Sequence, residues 1–139
     1  MAKKTDQKTD KKKAKAVKSK PKKKNIQKVR VRVKSGYNNT IVTITDYDGN
    51  VIASSSGGTI GFTGSKKSTA FAATKAAEDA VAKATRHGAK EAIVIVSGMG
   101  MGRQAAVKGI RSGGLKITSL SDYTPVKHGG TFSRKAPQK

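Results

Sequence analysis

No cysteine occurs in the 139 residues, which removes disulfide scaffolds, thiolate zinc sites and cysteine nucleophiles together and argues against dependence on an oxidising compartment. Tryptophan is also absent. Three Tyr and three Phe (Tyr37, Tyr47, Tyr123, Phe62, Phe71 and Phe132) are too few for a single-strand stacking platform. No window approaches the roughly 20 apolar residues of a membrane span, and the N-terminal basic run has no apolar stretch of about 7–15 residues behind it. A soluble, intracellular chain is the expectation. Acidic residues are scarce as well: 8 Asp+Glu stand against 30 Lys+Arg, leaving a formal charge of +22. Repulsion of that size disfavours a compact state, and a polyanion relieves it while releasing its own counterions, so nucleic acid ranks ahead of an anionic membrane as partner.

The excess is unevenly spread. The first 34 residues carry 16 basic minus 2 acidic, or +14, and the other 105 carry 14 minus 6, or +8. Residues 1–25 have Val17 and a few alanines as their only apolar content after Met1, too little to offset the entropy of ordering, and are expected to be a disordered basic extension. Regular pattern begins at Ile26 and runs to residue 121, a single domain, with residues 122–139 as a basic C-terminal tail.

Within the domain, Val29, Val31 and Val33 alternate with Lys28, Arg30, Arg32 and Lys34, the period of a half-buried strand with one basic face. The run TIVTIT at residues 40–45 and a third run from Val51 flank Asp48-Gly49, a hairpin signal, so strands one to three form a meander. Residues 70–87 predict a helix with Phe71, Ala73, Ala77, Ala80, Val81 and Ala84 as its apolar stripe, Ser68 or Thr69 as N-cap and Gly88 at the C-terminus. The continuous run Ala92 to Val96 suits a strand buried on both faces. A short helix from Arg103 to about Ser112 and a last strand with Leu115, Ile117 and Leu120 complete the order β-β-β-α-β-α-β. That order is a single-domain α/β fold with a mixed sheet.

Two glycine loops lead from strand to helix, where free N–H groups and the helix dipole favour an anion. Neither is a nucleotide motif. In residues 57–68 Gly64 is followed by Ser65, where a phosphate-binding loop needs Lys; in residues 98–103 Arg103 stands where a dinucleotide fingerprint needs Gly. What remains is backbone able to approach phosphates beside Lys66, Lys67 and Arg103, with Lys108 and Arg111 extending the positive surface along the second helix. The alternative is that these glycines only make turns and the cations only a solvated face. Enzyme chemistry is not expected. Asp46 and Asp48 read as turn residues and Glu78 and Asp79 as helix surface, so a carboxylate metal site lacks ligands; cofactors and metals are expected to be none. His87 suits a helix C-terminus, and His128 an RNA contact.

Four segments in this order, YNNTIVTITD (37–46), GFTGSKKSTAFAA (61–73), GMGMGR (98–103) and DYTPVKH (122–128), resemble the bacterial type of small-subunit ribosomal protein eleven. The resemblance covers roughly residues 28–130. It implies an RNase-H-like fold used without catalysis, in a cytoplasmic ribosomal protein of the small-subunit platform. It also implies bridging of several small-subunit rRNA helices and a place beside the cleft for the Shine-Dalgarno duplex of mRNA. Ribosomal proteins seven and eighteen are the implied neighbours, with initiation factor three as a candidate visitor. Carried onto this sequence, the rRNA contacts are Asn38, Asn39, Ser65, Lys66, Lys67, Ser68, Arg103, Lys127 and His128. Charge adds Arg30, Arg32, Lys108 and Arg111, and Arg134 and Lys135 in the tail. Met99 and Met101 stand where family members usually have proline, and residues 129–139 diverge from the usual C-terminal end.

Overall fold

The computed structural model describes residues 26–138, so the disorder expected for residues 1–25 falls outside the described range. Strand β1 (Lys28–Ser35) is the sheet's central strand, and its alternation is realised in full: Val29, Val31 and Val33 are completely buried while the cations between them are exposed. Burial of each valine is worth about 1.5–3 kcal/mol, enough to fix which face turns inward. β2 (Thr40–Thr45) and β3 (Val51–Ser56) follow as the meander, with Gly49 at a φ of 91° in the connecting turn. The Asp46 amide donates to the Asn50 carbonyl (2.9 Å) and the Tyr47 amide to Asp46 Oδ1 (2.7 Å), which accounts for Asp46 as a turn residue.

Helix α1 (Ala70–Thr85) is capped by Thr69, whose hydroxyl oxygen accepts from the Ala72 amide at 3.3 Å. β4 (Glu91–Ser97), α2 (Gly102–Ser112) and β5 (Lys116–Asp122) complete the chain in the expected order. The sheet order is β3-β2-β1-β4-β5, with β1–β2 and β2–β3 antiparallel and β1–β4 and β4–β5 parallel. The single α/β domain with a mixed sheet therefore stands as expected.

Three expectations need correction. β4 is not buried on both faces: Val94 and Val96 face the helices, but Ile93 and Ile95 are only half-buried. The cause is topological. Both crossovers, β3-α1-β4 and β4-α2-β5, travel in the same direction across the sheet, so the right-handed rule puts both helices on one face and leaves the other bare among the described residues. Phe71 is 62% exposed and stands outside the core, which on α1 is made by Ala72, Ala73, Ala76, Ala77, Ala80, Val81 and Ala84. Small side chains are required there because α2 lies close: Thr74 Oγ1 donates to the Ala105 carbonyl (3.3 Å), and a Cβ on Gly109 would meet Ala77 and Thr74. Leu120, expected in the last apolar alternation, is 58% exposed because the helix layer ends over β4.

Candidate nucleic-acid interface

Because β1, β3, β4 and β5 all run in parallel, their C-terminal ends emerge along one edge of the sheet, where open α/β sheets bind ligands. Four loops gather there: the β1–β2 turn with Tyr37, Asn38 and Asn39, the β3–α1 loop with Lys66 and Lys67, the β4–α2 loop, and the start of the tail. The N-termini of both helices sit at the same edge.

The β1–β2 turn is held from inside. The Gly36 amide donates to the Asn39 carbonyl (2.9 Å), Asn39 Oδ1 accepts from the Thr40 amide (2.9 Å), and the buried hydroxyls of Ser35 and Thr40 are paired at 3.2 Å. Asn39 is thus tied into the turn by its side-chain oxygen, whereas Asn38 is exposed. The β4–α2 loop lies directly on this turn. The Gly100 amide donates to the Ser35 carbonyl (3.0 Å), and Cβ atoms on Gly98, Gly100 and Gly102 would collide with Ser35, Gly36 and Thr40 respectively. These glycines serve close approach of two backbones, the use that competes with anion binding. Met99 and Met101 project outward instead, Met101 with 84% exposure, and with Tyr37 they place apolar surface on the edge.

The β3–α1 loop is built differently. Residues Gly64–Ser68 form a short 3₁₀ segment in which the Ser68 hydroxyl donates to the Ser65 carbonyl (2.7 Å) and the Thr69 hydroxyl to the Lys66 carbonyl (2.7 Å). Phe62 meets Phe71 edge to face, centroids 6.0 Å apart at 89°, which fastens the loop to the first turn of α1. That aromatic pair positions Ser65, Lys66 and Lys67. The sequence signal for it was the same Phe71 that reads as a core residue by spacing. Neither lysine has an ion-pair partner among the described residues.

Arg103, at the start of α2, is paired with Asp122, which also accepts from the Thr124 hydroxyl at 2.6 Å. Sequence reasoning missed this pairing because the two residues meet only once β5 lies beside β4. The Tyr123 amide donates to the Val96 carbonyl (2.8 Å), so the tail leaves from the same edge. Further along, the Lys127 ammonium donates to the Thr131 carbonyl, and His128, Arg134 and Lys135 are exposed.

Arg30 and Arg32 are not on this edge. They stand on the bare sheet face in a shallow depression with Thr43, Thr45, Val51 and Ile95, and the Arg30 guanidinium lies 5.0 Å from the Tyr47 ring centroid. Lys108 and Arg111 lie on the flank of α2 toward β5. The acidic residues are segregated from the edge. Asp46, Asp48 and Glu91 lie at the opposite end of the sheet and Glu78 and Asp79 on α1, leaving Asp122 as the edge's carboxylate among the described residues. Among the described residues no three His, Asp or Glu side chains converge as metal ligands. No described helix is long and apolar enough to cross a membrane.

The family model of ribosomal protein S11 matches residues 29–138. The small ribosomal subunit protein uS11 of Sulfurimonas denitrificans is 50% identical over 124 residues, spanning 88% of this chain and 95% of that protein. Every loop of the strand-end edge lies inside the matched range.

Proposed function

The chain belongs to the ribosomal protein S11 family, whose members are structural proteins of the ribosome and not enzymes, and from that premise we propose that the strand-end edge is its rRNA-binding face. The observation that carries the reading is the charge layout. Lys34, Lys66, Lys67, Arg103 and Lys127 stand on or beside one edge that holds a single carboxylate among the described residues. Phosphate contacts from such cations fix register, while rigid loops of fixed shape select an RNA surface that fits them. In this proposal Asn38, Ser65, Lys66, Lys67, Ser68 and Arg103 touch one rRNA helix, with Asn39 shaping the turn. Lys127, His128, Arg134 and Lys135 continue the contact along the tail.

Arg30 and Arg32 present a second basic surface on the bare sheet face, and two such surfaces on one rigid domain suit a protein that bridges separate rRNA helices. The basic residues 1–25, with 12 Lys against 2 Asp, add salt-dependent affinity without register. At the finer level the family resemblance supports a site on the small-subunit platform in the cytoplasm. There the protein borders the Shine-Dalgarno cleft, has ribosomal proteins seven and eighteen as neighbours, and is visited by initiation factor three. Affinity of the full chain for small-subunit rRNA fragments, set against duplex DNA at physiological salt, tests the reading. A preference for the rRNA on the order of tenfold or more is expected. Equal affinity for both reduces the protein to a nonspecific polyanion binder and overturns it.

A further inference from the structure

We propose that the groove between α2 and β5 receives an extended, acidic segment of a partner protein, which adds to the sheet as a sixth strand beside β5. Among the described residues β5 ends the sheet and pairs with β4 alone, so the main-chain donors and acceptors along its outer side meet no described strand. The helix layer also stops short of it: α1 rests on β2 and β3, and α2 on β1, β2 and β4. A register shift between Ala92 and Ile93 sets Ile117 opposite Ala92 and Leu120 opposite Val94, both on the helix face. Leu120 is nevertheless more than half exposed, and with Ile117 and Val107 of α2 it makes an apolar floor that no element among the described residues covers.

The rim decides what fits. Lys108 and Arg111 line the groove from α2, and among the described residues neither has an acidic partner. Asp122, the carboxylate at one end of the groove, is taken by Arg103. The chain's own residues 1–25 bring 12 Lys, 2 Asp and little apolar content, so they meet this rim with like charge; a second copy, at +22, does the same. RNA is electrostatically acceptable but poorly matched, because the floor is aliphatic and offers no aromatic ring on which a base can stack. A strand alternating apolar and acidic residues matches all three features at once: apolar side chains on the floor, carboxylates toward Lys108 and Arg111, and main-chain bonds to β5. On this assignment Lys108 and Arg111, grouped with the rRNA contacts by their charge in the sequence, serve a protein partner. The inference stands apart from the rRNA reading, since it concerns the flank of α2 and not the loops.

The test uses the full chain, with a peptide of about ten residues alternating Glu with Val and Leu, a Lys-for-Glu version of it, and a small-subunit rRNA fragment. The expected result is amide chemical-shift change in β5 and α2 on adding the acidic peptide and none there with the basic one. Leu120→Ser, at an exposed position that leaves folding intact, should weaken the acidic peptide about tenfold and leave rRNA affinity unchanged. The double charge reversal Lys108→Glu/Arg111→Glu should lose the acidic peptide and acquire the basic one. Absence of shifts in β5 with the acidic peptide overturns the proposal. So does an rRNA fragment that shifts β5 and loses affinity in Leu120→Ser, which would make the groove an RNA surface.

Discussion

The two glycine loops look alike in sequence and do different work in the fold. Residues 98–102 lie on the β1–β2 turn so closely that none of Gly98, Gly100 or Gly102 has room for a Cβ, and the Gly100 amide is bonded to Ser35. In the β3–α1 loop, Gly61 and Gly64 have positive φ values of 99° and 55° but open space around them, and Lys66 and Lys67 beside them lack ion-pair partners among the described residues. The first loop is scaffold for the edge. The second presents cations from it. A glycine-rich strand-to-helix loop therefore says that backbone comes close to something, and only the fold says whether that is the protein's own chain or a ligand.

The contrast can be broken most forcefully at Gly98. Its φ is 99° and a Cβ would strike the Ser35 carbonyl, so Gly98→Ala should lower stability by about 3 kcal/mol or more in urea unfolding, from overlap and backbone strain together. Gly61→Ala shares the same φ without any clash, and should cost about 1 kcal/mol. Equal losses at the two sites would erase the distinction. Next comes the cation that the scaffold loop does supply. Arg103→Ala should reduce the salt slope of rRNA binding by about one, as loss of one phosphate contact does, while Asp122→Asn, by freeing Arg103, should tighten binding several-fold. Weaker binding on Asp122→Asn would show that the carboxylate's service is to aim Arg103.

The smallest effect is expected away from the edge, on α1. The hydrogen bond from the Lys83 ammonium, 2.6 Å from Asp79 Oδ2, holds the Asp79 carboxyl below its ordinary value of 3.8. A depressed folded pKa means stability that is present above that ordinary value and is lost as pH falls through the folded one. Asp79→Asn should accordingly cost about 0.3–0.5 kcal/mol at neutral pH, as exposed i,i+4 pairs do, and nothing in strong acid. A difference that persists in acid would assign the loss to something other than the ion pair.

Much of the fold was legible because strand β1 alternates without a break, and because Asp48-Gly49 and Gly88 mark turns by chemistry that acts locally. What was not legible depends on relations between distant segments. Phe71 has helical spacing with the core alanines, yet its partner is Phe62 in the preceding loop. The run Ala92 to Val96 is apolar enough for burial on both faces, and only the direction of the two crossovers reveals that one face stays bare. Sequence put Arg30, Arg32, Lys66, Lys67, Arg103, Lys108 and Arg111 in one charged set. The fold distributes them over the sheet face, the strand-end edge and the flank of α2.

The proposed division puts rRNA on the strand-end edge and not on the α2 flank. Salt dependence of binding to a small-subunit rRNA fragment, measured for Lys66→Ala/Lys67→Ala beside Lys108→Ala/Arg111→Ala, tests it with equal charge removed in both variants. The first pair is expected to lower the slope by about two and the second to leave it unchanged. A lower slope for the α2 pair with an unchanged slope for the loop pair would overturn that division.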